Sequence, residues 1–323
     1  MAEQKYPLLL SPAAKDYLWG GENLKYNYNK NIDITPLAET WECSCHPDGE
    51  SVVSNGALTG KTLSEVILSN PGWIGTSPDT SYGFPILFKL IDAKKELSVQ
   101  VHPDDEYALA NENQLGKTEM WYVLDAEDDA ELVYGFKNEI DRDTLISSAK
   151  DGSIMEHLRT LKAERGDVFF ITPGTVHAIG KGLTIAEIQE SSNVTYRLYD
   201  YGRRDKDGNL RPLHLDKAAE VTVLKASSDP KQAKRESFVI GTAKCETLAK
   251  CKYFTTDKIS VSCDYEAKVD DTSFAVLFMA DNHAVLTYAD GKLDLQKGDT
   301  VFLPAGIGSI KIDGKCEFLK ITC

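Results

Sequence analysis

Residues 164–180 read ERGDVFFITPGTVHAIG, and residues 296–312 read QKGDTVFLPAGIGSIKI. The two stretches align through Gly166-Asp167 with Gly298-Asp299, and through Pro173 with Pro304. Each consists of a Gly-Asp turn, a short hydrophobic strand, a Pro/Gly break and a second strand, which reads as one hairpin of a jelly roll. Its occurrence twice predicts a duplicated, mainly β chain. Four residues past the proline the first copy has His177 and the second has Gly308, so only the first keeps an imidazole there.

Around the first copy, FPILFKLIDA (84–93), KELSVQVH (95–102), EMWYVLDA (119–126), AELVYGF (130–136), DVFFIT (167–172) and LTIAEIQE (183–190) read as strands from their β-branched and aromatic content. The connections are too short for crossover helices, so the strands should run antiparallel, with Lys94-Lys95 and Glu127-Asp128-Asp129 as hairpin turns. Helical signals cover 61–70, 104–113, 141–150, 152–161 and 216–225. A polar segment, SSDPKQAKRES (227–237), precedes a second run of strands that includes SFAVLFMA, HAVLTYA, DTVFLPA and CEFLKI. The expected organisation is two jelly-roll units, 1–228 with small helical insertions and 229–323 without them.

The 323 residues suffice for two such cores, and 42% hydrophobic with 27% charged residues is an ordinary globular balance. A formal charge of −14 argues against a nucleic-acid or anionic-membrane partner, either of which needs a basic face. An anionic small molecule would need a local cluster of Lys and Arg. The opening MAEQKYPLLL has neither a basic n-region nor a long apolar h-region, and no run of about 18 apolar residues occurs, which predicts a cytoplasmic protein. Seven cysteines without a CxxC pair fit a reducing compartment, and Cys43 and Cys45 read as small packing residues rather than thiolate ligands.

SVQVHPDDE (98–106) raises a separate question, because the period-2 rule puts Ser98, Gln100 and His102 on one strand face. That face either meets water at a sheet edge or turns inward. His177 supplies a partner for the inward reading, and Glu119 begins a strand on which Trp121 and Val123 share its face. Gln100, His102, Glu119 and His177 would bring two imidazole nitrogens and two oxygens from three neighbouring strands, a set suited to zinc, manganese or iron with an open position for substrate. His46, His157, His214 and His283 have no comparable acid or second ligand nearby in sequence.

The linked set QxHPD, KTEMWY, GDVFFITPGTVHAIG and EIQESSNVTYRLYDYGR, with YLWGG at 17–21 and FPILFKLIDAKKELSVQVHPD at 84–104, resembles the type I mannose-6-phosphate isomerases, especially their short bacterial form. The resemblance covers roughly residues 6–215 closely and the C-terminal unit more loosely. It implies two cupin-type jelly-roll units and a zinc-dependent interconversion of mannose 6-phosphate and fructose 6-phosphate, with one ion per chain. On this resemblance Gln100, His102, Glu119 and His177 are the metal ligands, Arg197 is the catalytic arginine, and Glu187 and Lys117 are polar active-site residues. It also makes Lys89 and Ser98, on adjacent strands, the phosphate-binding pair and puts Trp19 near the substrate. Glu187 is the first candidate for the proton-transfer base, the alternative being an inward carboxylate that pairs with Lys117 or Arg197. The large helical domain of the long family members is reduced here to short insertions, and the short-form LYDYGRRD after Arg197 leaves Asp200 and Arg203 as candidates only. Two other readings compete. One is a cupin Fe(II) oxygenase, which Gln100 in place of a ligand histidine argues against. The other is a non-catalytic sugar-binding cupin, a description that fits the C-terminal half.

Overall fold

Four sheets carry the chain in a computed structural model, which describes residues 4–204, 207–228, 230 and 235–323. A six-stranded sheet runs in the order Val168–Ile171, Glu119–Ala126, Leu183–Glu190, Ile86–Ala93, Glu39–Cys43, Ala13–Lys15. It faces a five-stranded sheet ordered Tyr196–Tyr199, Val99–Val101, His177–Ile179, Glu131–Phe136, Leu158–Lys162. The C-terminal half pairs a four-stranded sheet with an eight-stranded one, and all pairings between these strands are antiparallel. Leu8–Ser11 crosses over to lie beside Thr300–Leu303 in the eight-stranded sheet. Residues 229 and 231–234 of the expected connecting segment lie outside the described residues.

The six-stranded sheet is buried on both faces, which explains why its central strands read as nearly unbroken apolar runs. Along Glu119–Ala126, Trp121 and Val123 point into the first roll with Ile91, Phe169 and Ile185. Met120, Tyr122 and Leu124 point the other way, into a second core shared with Phe274, Phe278, Phe302 and Leu319 of the C-terminal half. Edge-to-face packing of Phe88 on Phe278, with centroids 5.4 Å apart, belongs to that inter-unit layer. Helices Arg142–Asp151 and Leu215–Val221 cover the outer face of the five-stranded sheet through Leu145, Ala149, Ala218 and Ala219.

Several expected hairpins are not hairpins. The strands on either side of Lys94-Lys95 belong to different sheets, as do those on either side of Glu127-Asp128-Asp129 and those of the 164–180 repeat. A jelly roll passes consecutive strands between its two layers, and a period-2 pattern cannot tell a turn within a sheet from one between sheets. Helix signals also overran: 152–161 forms only the short helix Ile154–His157, and Leu158–Lys162 pairs as a strand with Glu131–Phe136. Glu39–Cys43, not anticipated as a strand, sits inside the six-stranded sheet.

A buried ion pair ties the two halves together. Lys30 Nζ donates to Glu42 Oε2 at 2.7 Å and also to the carbonyl of Gly298, in the second copy of the repeat. Thr300 and Thr40 hydroxyls donate to the two carboxylate oxygens at 2.6 and 2.7 Å, so Glu42 is fully satisfied at 0% exposure. Lys30→Met should therefore destabilise the fold by about 3–5 kcal/mol in denaturant unfolding, because it leaves a buried carboxylate without its counter-charge. A loss under about 1 kcal/mol would mean that the two hydroxyls compensate the charge unaided.

Candidate metal centre and active site

His102 and His177 approach from the five-stranded sheet, where His177 stands opposite Gln100. Glu119 comes from the facing six-stranded sheet, at the start of a strand flanked by Val168–Ile171 and Leu183–Glu190. The ligand candidates thus come from two opposed layers, not from three neighbouring strands as expected. His102, Glu119 and His177 are all buried, and their ligand atoms lie within 4.8 Å of one another. Ser98 and His102 are also buried, and Val99 and Val101 are buried on the opposite side, so the polar face of SVQVH turns inward.

The proton positions follow from the partners. His102 Nδ1 lies 2.8 Å from the Val194 carbonyl and His177 Nδ1 lies 2.8 Å from the Thr175 carbonyl. A carbonyl can only accept, so both rings carry their proton on Nδ1 and present a lone pair at Nε2. Those two lone pairs face each other at 3.1 Å, and His177 Nε2 is 3.2 Å from Glu119 Oε1. Burial keeps both imidazoles neutral, pushing His177 down to about 3 and His102 well below its ordinary value. Burial also raises the Glu119 carboxyl to about 7, against the pull of Lys117. Lys117 Nζ stands 2.6 Å from Glu119 Oε2 and 3.2 Å from His102 Nε2, while Glu119 Oε1 has no hydrogen-bond donor. Acceptors converging in this way, with backbone carbonyls orienting the rings from behind, are what a divalent cation requires. Gln100 lies beside them, its amide nitrogen 3.4 Å from His177 Nε2, and a half-turn of the amide presents its oxygen instead.

A cleft of about 290 Å³ opens beside this group, lined by Trp19, Lys89, Ser98, Gln100, Lys117, Glu187 and Arg197. Glu187 is buried under two ammonium groups, with Lys89 Nζ at 3.4 Å and Lys117 Nζ at 3.8 Å from Oε1, while Trp121 Nε1 donates to Oε2 at 2.8 Å. Burial alone would raise its pKa, but Lys117, Lys89 and the indole N–H hold it below the ordinary carboxylate value. Arg197 donates through Nε to Ser98 Oγ at 3.2 Å and through Nη1 to the Pro212 carbonyl at 3.0 Å. Lys89 and Ser98 stand on opposite layers of the roll and not on adjacent strands. Asp200 lies farther out, hydrogen-bonded by Arg203 and Arg211. In a chain of net charge −14, the cleft gathers Lys89, Lys117, Arg197 and Arg211.

Residues 8–138 match the family model "Phosphomannose isomerase type I, catalytic domain", and residues 244–323 match "Mannose-6-phosphate isomerase, cupin domain". The mannose-6-phosphate isomerase ManA of Bacillus subtilis is 38% identical over 312 residues, spanning 96% of this chain and 97% of its own. The chain belongs to the type I phosphomannose isomerases. The mannose-6-phosphate isomerase of Streptococcus mutans is 34% identical to this isomerase over 97% of each chain. The crystal structure of a Bacillus subtilis mannose 6-phosphate isomerase superposes with a TM-score of 0.91 at 33% identity, covering 98% of this isomerase and 99% of that chain. A Salmonella typhimurium mannose 6-phosphate isomerase, at a TM-score of 0.76 and 16% identity, shares the fold.

The cleft of the isomerase also contains Tyr17, Glu39, Asn193, Thr195 and Arg211, which the sequence reading passed over. Glu39 had a usable signal, since Glu39 and Trp41 alternate onto one strand face and Glu39 Oε2 accepts the Trp41 indole N–H at 2.8 Å; a bulge after Trp41 then puts Cys43 opposite Phe88, in the core on the other side of the sheet. His214, set aside as lacking a partner, accepts the Arg197 main-chain N–H at 3.1 Å and so braces the strand carrying that arginine. Among the described residues, no helix is long and apolar enough to cross a membrane.

His177→Ala should strip the isomerase of bound metal after dialysis, as read by elemental analysis, because it removes one of only two nitrogen donors. His283→Ala, at an exposed position of the C-terminal half, should leave metal content unchanged. Full occupancy in His177→Ala would take that residue out of the ligand set.

Proposed function

We propose that the cleft interconverts mannose 6-phosphate and fructose 6-phosphate with one zinc ion per chain, held by Gln100, His102, Glu119 and His177. The buried His102/Glu119/His177 group, opening on a cationic cleft in an acidic chain, is the observation that carries this reading. An ion bound there supplies Lewis acidity to the two substrate oxygens whose roles exchange. Isomerisation takes a proton from C2 of the open-chain aldose and returns it to C1, passing through an enediolate whose negative charge sets the barrier. Arg197 stabilises that charge with the guanidinium donors that Ser98 and Pro212 leave uncommitted. Lys117 adds a second cation on the metal side.

Glu187 is the proton carrier in this scheme, ionised at neutral pH and within reach of Lys117 and Lys89. Lys89 and Ser98 take the phosphate. Ser98 Oγ already accepts from Arg197, which leaves its own O–H to donate to a phosphate oxygen. Phosphate binding at Lys89 draws that ammonium's field away from Glu187 and makes the carboxylate a stronger base only when substrate is in place. Trp19, at 4% exposure, forms the apolar wall of the cleft. The chain divides near residue 228 into this metal-bearing unit and a C-terminal unit with glycine at 308 where the first has its ligand histidine. Seven free cysteines and a sugar-phosphate substrate suit the cytoplasm.

Purified protein should contain zinc and interconvert the two sugar phosphates equally well with and without oxygen. A strict need for oxygen would replace the isomerase by an oxygenase. Arg197→Lys should keep fold and metal yet lose turnover by about tenfold or more, roughly 1.4 kcal/mol of barrier, since an ammonium cannot reproduce the planar fork of donors. Turnover within about twofold of the parent would make Arg197 a structural cation. Gln100→Glu should hold zinc at least as tightly and turn over more slowly, because an added negative ligand makes the metal a poorer Lewis acid. Parent-like affinity and rate in both Gln100→Glu and Gln100→Ala would remove Gln100 from the ligand set.

A further inference from the structure

Asp105, Glu190 and Tyr253 lie behind the active site, where the six-stranded sheet meets the C-terminal half. Glu190 follows Glu187 by three residues on the same strand, so its side chain leaves from the opposite face. It is 1% exposed. Its Oε1 accepts the Thr118 N–H at 2.7 Å, and its main-chain N–H donates to the Thr118 carbonyl at 3.1 Å. Asp105, the first residue of the helix Asp105–Glu112, accepts the Gly116 N–H at 3.0 Å through Oδ1. Its Oδ2 accepts the Tyr253 hydroxyl at 2.7 Å, and Lys252 stands 3.8 Å from the same oxygen.

These contacts grip one segment. The Lys117 N–H donates to the Pro103 carbonyl at 3.0 Å, and the Ser192 hydroxyl donates to the Leu115 carbonyl at 2.8 Å. Gly116 is packed so closely that a Cβ there would fall 2.4 Å from the Asp104 carbonyl carbon. The backbone from 115 to 118 is thereby held on both sides of Lys117, immediately before Glu119. Glu190 Oε2 has no donor and lies against Asp105. Two touching carboxyl groups are tolerated when they share a proton, and burial raises Glu190 to about 8, which makes it the proton carrier. In that form Glu190 keeps the Thr118 contact and has an O–H to offer Asp105, as a glutamine has an N–H.

We propose that Asp105, Glu190 and Tyr253 form a clamp through which the C-terminal unit positions Lys117 and Glu119 for isomerisation. The inference rests on the isomerase reading given above. None of the three touches the reacting atoms; they are positioning residues. Lys117 Nζ stands 2.6 Å from Glu119 Oε2, and displacements of about 1 Å at such a centre cost up to about 10²-fold in rate. The clamp also gives the C-terminal unit, which has Gly308 in place of a ligand histidine, a part in the reaction.

The test compares Glu190→Ala, Glu190→Gln and Tyr253→Phe with the parent in metal-loaded, full-length protein. It measures kcat, KM, metal content and amide hydrogen exchange over residues 115–119. Glu190→Ala should lower kcat by about tenfold with KM within about twofold, and should speed exchange at Gly116 and Thr118. Glu190→Gln should restore both, and Tyr253→Phe should cost about threefold in kcat, the scale of one lost hydrogen bond. Parent-like kcat and exchange in Glu190→Ala and Tyr253→Phe would overturn the clamp. Equal losses in Glu190→Gln and Glu190→Ala would overturn it too, since they would mark a packing defect. If Glu190→Ala does not fold, Tyr253→Phe decides alone, because it removes one hydroxyl from a half-buried ring. A parent that fails to interconvert the sugar phosphates sinks the isomerase reading, and exchange over 115–119 then judges the clamp by itself.

Discussion

Two imidazole lone pairs and a carboxylate, all buried, point at a common centre, and the rest of the molecule is arranged to keep them there. Left to themselves such groups would turn away, recruit water or take up protons. The carbonyls of Val194 and Thr175 prevent the rings from turning by holding each Nδ1–H, and burial opposes protonation of either Nε2. Glu119 is brought against them from the opposite sheet, so the centre exists only while the two layers of the first roll remain in register.

That requirement accounts for the sheet between the two units. With Trp121, Val123 and Ile185 packed inside the first roll, and Met120, Tyr122 and Ile188 packed against the C-terminal aromatics, the central strands have apolar neighbours on both faces. A strand buried on both sides cannot slip by one residue without driving Glu119 or Glu187 into an apolar layer. The second roll thus acts as a backing for the strand that carries Glu119, and the Lys30–Glu42 pair fastens the two across the seam.

Charge follows the same division of labour. The chain as a whole is acidic, yet Lys89, Lys117 and Arg197 converge on one cleft with Glu187 placed among them. Lys89 keeps its proton despite burial because Glu39, Glu187 and Glu119 surround it, and its pKa lies above the ordinary lysine value. A site of this kind can receive a dianionic phosphate without large reorganisation, since its cations are already ordered by internal carboxylates.

Much of this was legible in the residues. The repeated Gly-Asp/Pro unit pointed to the jelly rolls, the alternation of SVQVH placed Ser98, Gln100 and His102 on one face, and His177 against Gly308 told the two units apart. Such features depend on residue type and on periods of two, which the chain carries locally. What lay beyond them was pairing across distance. Whether Lys94-Lys95 turns within a sheet or between sheets, whether Glu119 adjoins the histidines or faces them, and which N–H groups Glu190 and Asp105 hold are all matters of which strand lies opposite which. Sequence by itself determined the fold class and the chemical identity of the candidate ligands, because both are written in side chains. Only the tertiary structure decided the layer each ligand comes from and the support behind it, because burial on both faces of one sheet is a property of the packed pair of units and of neither strand alone.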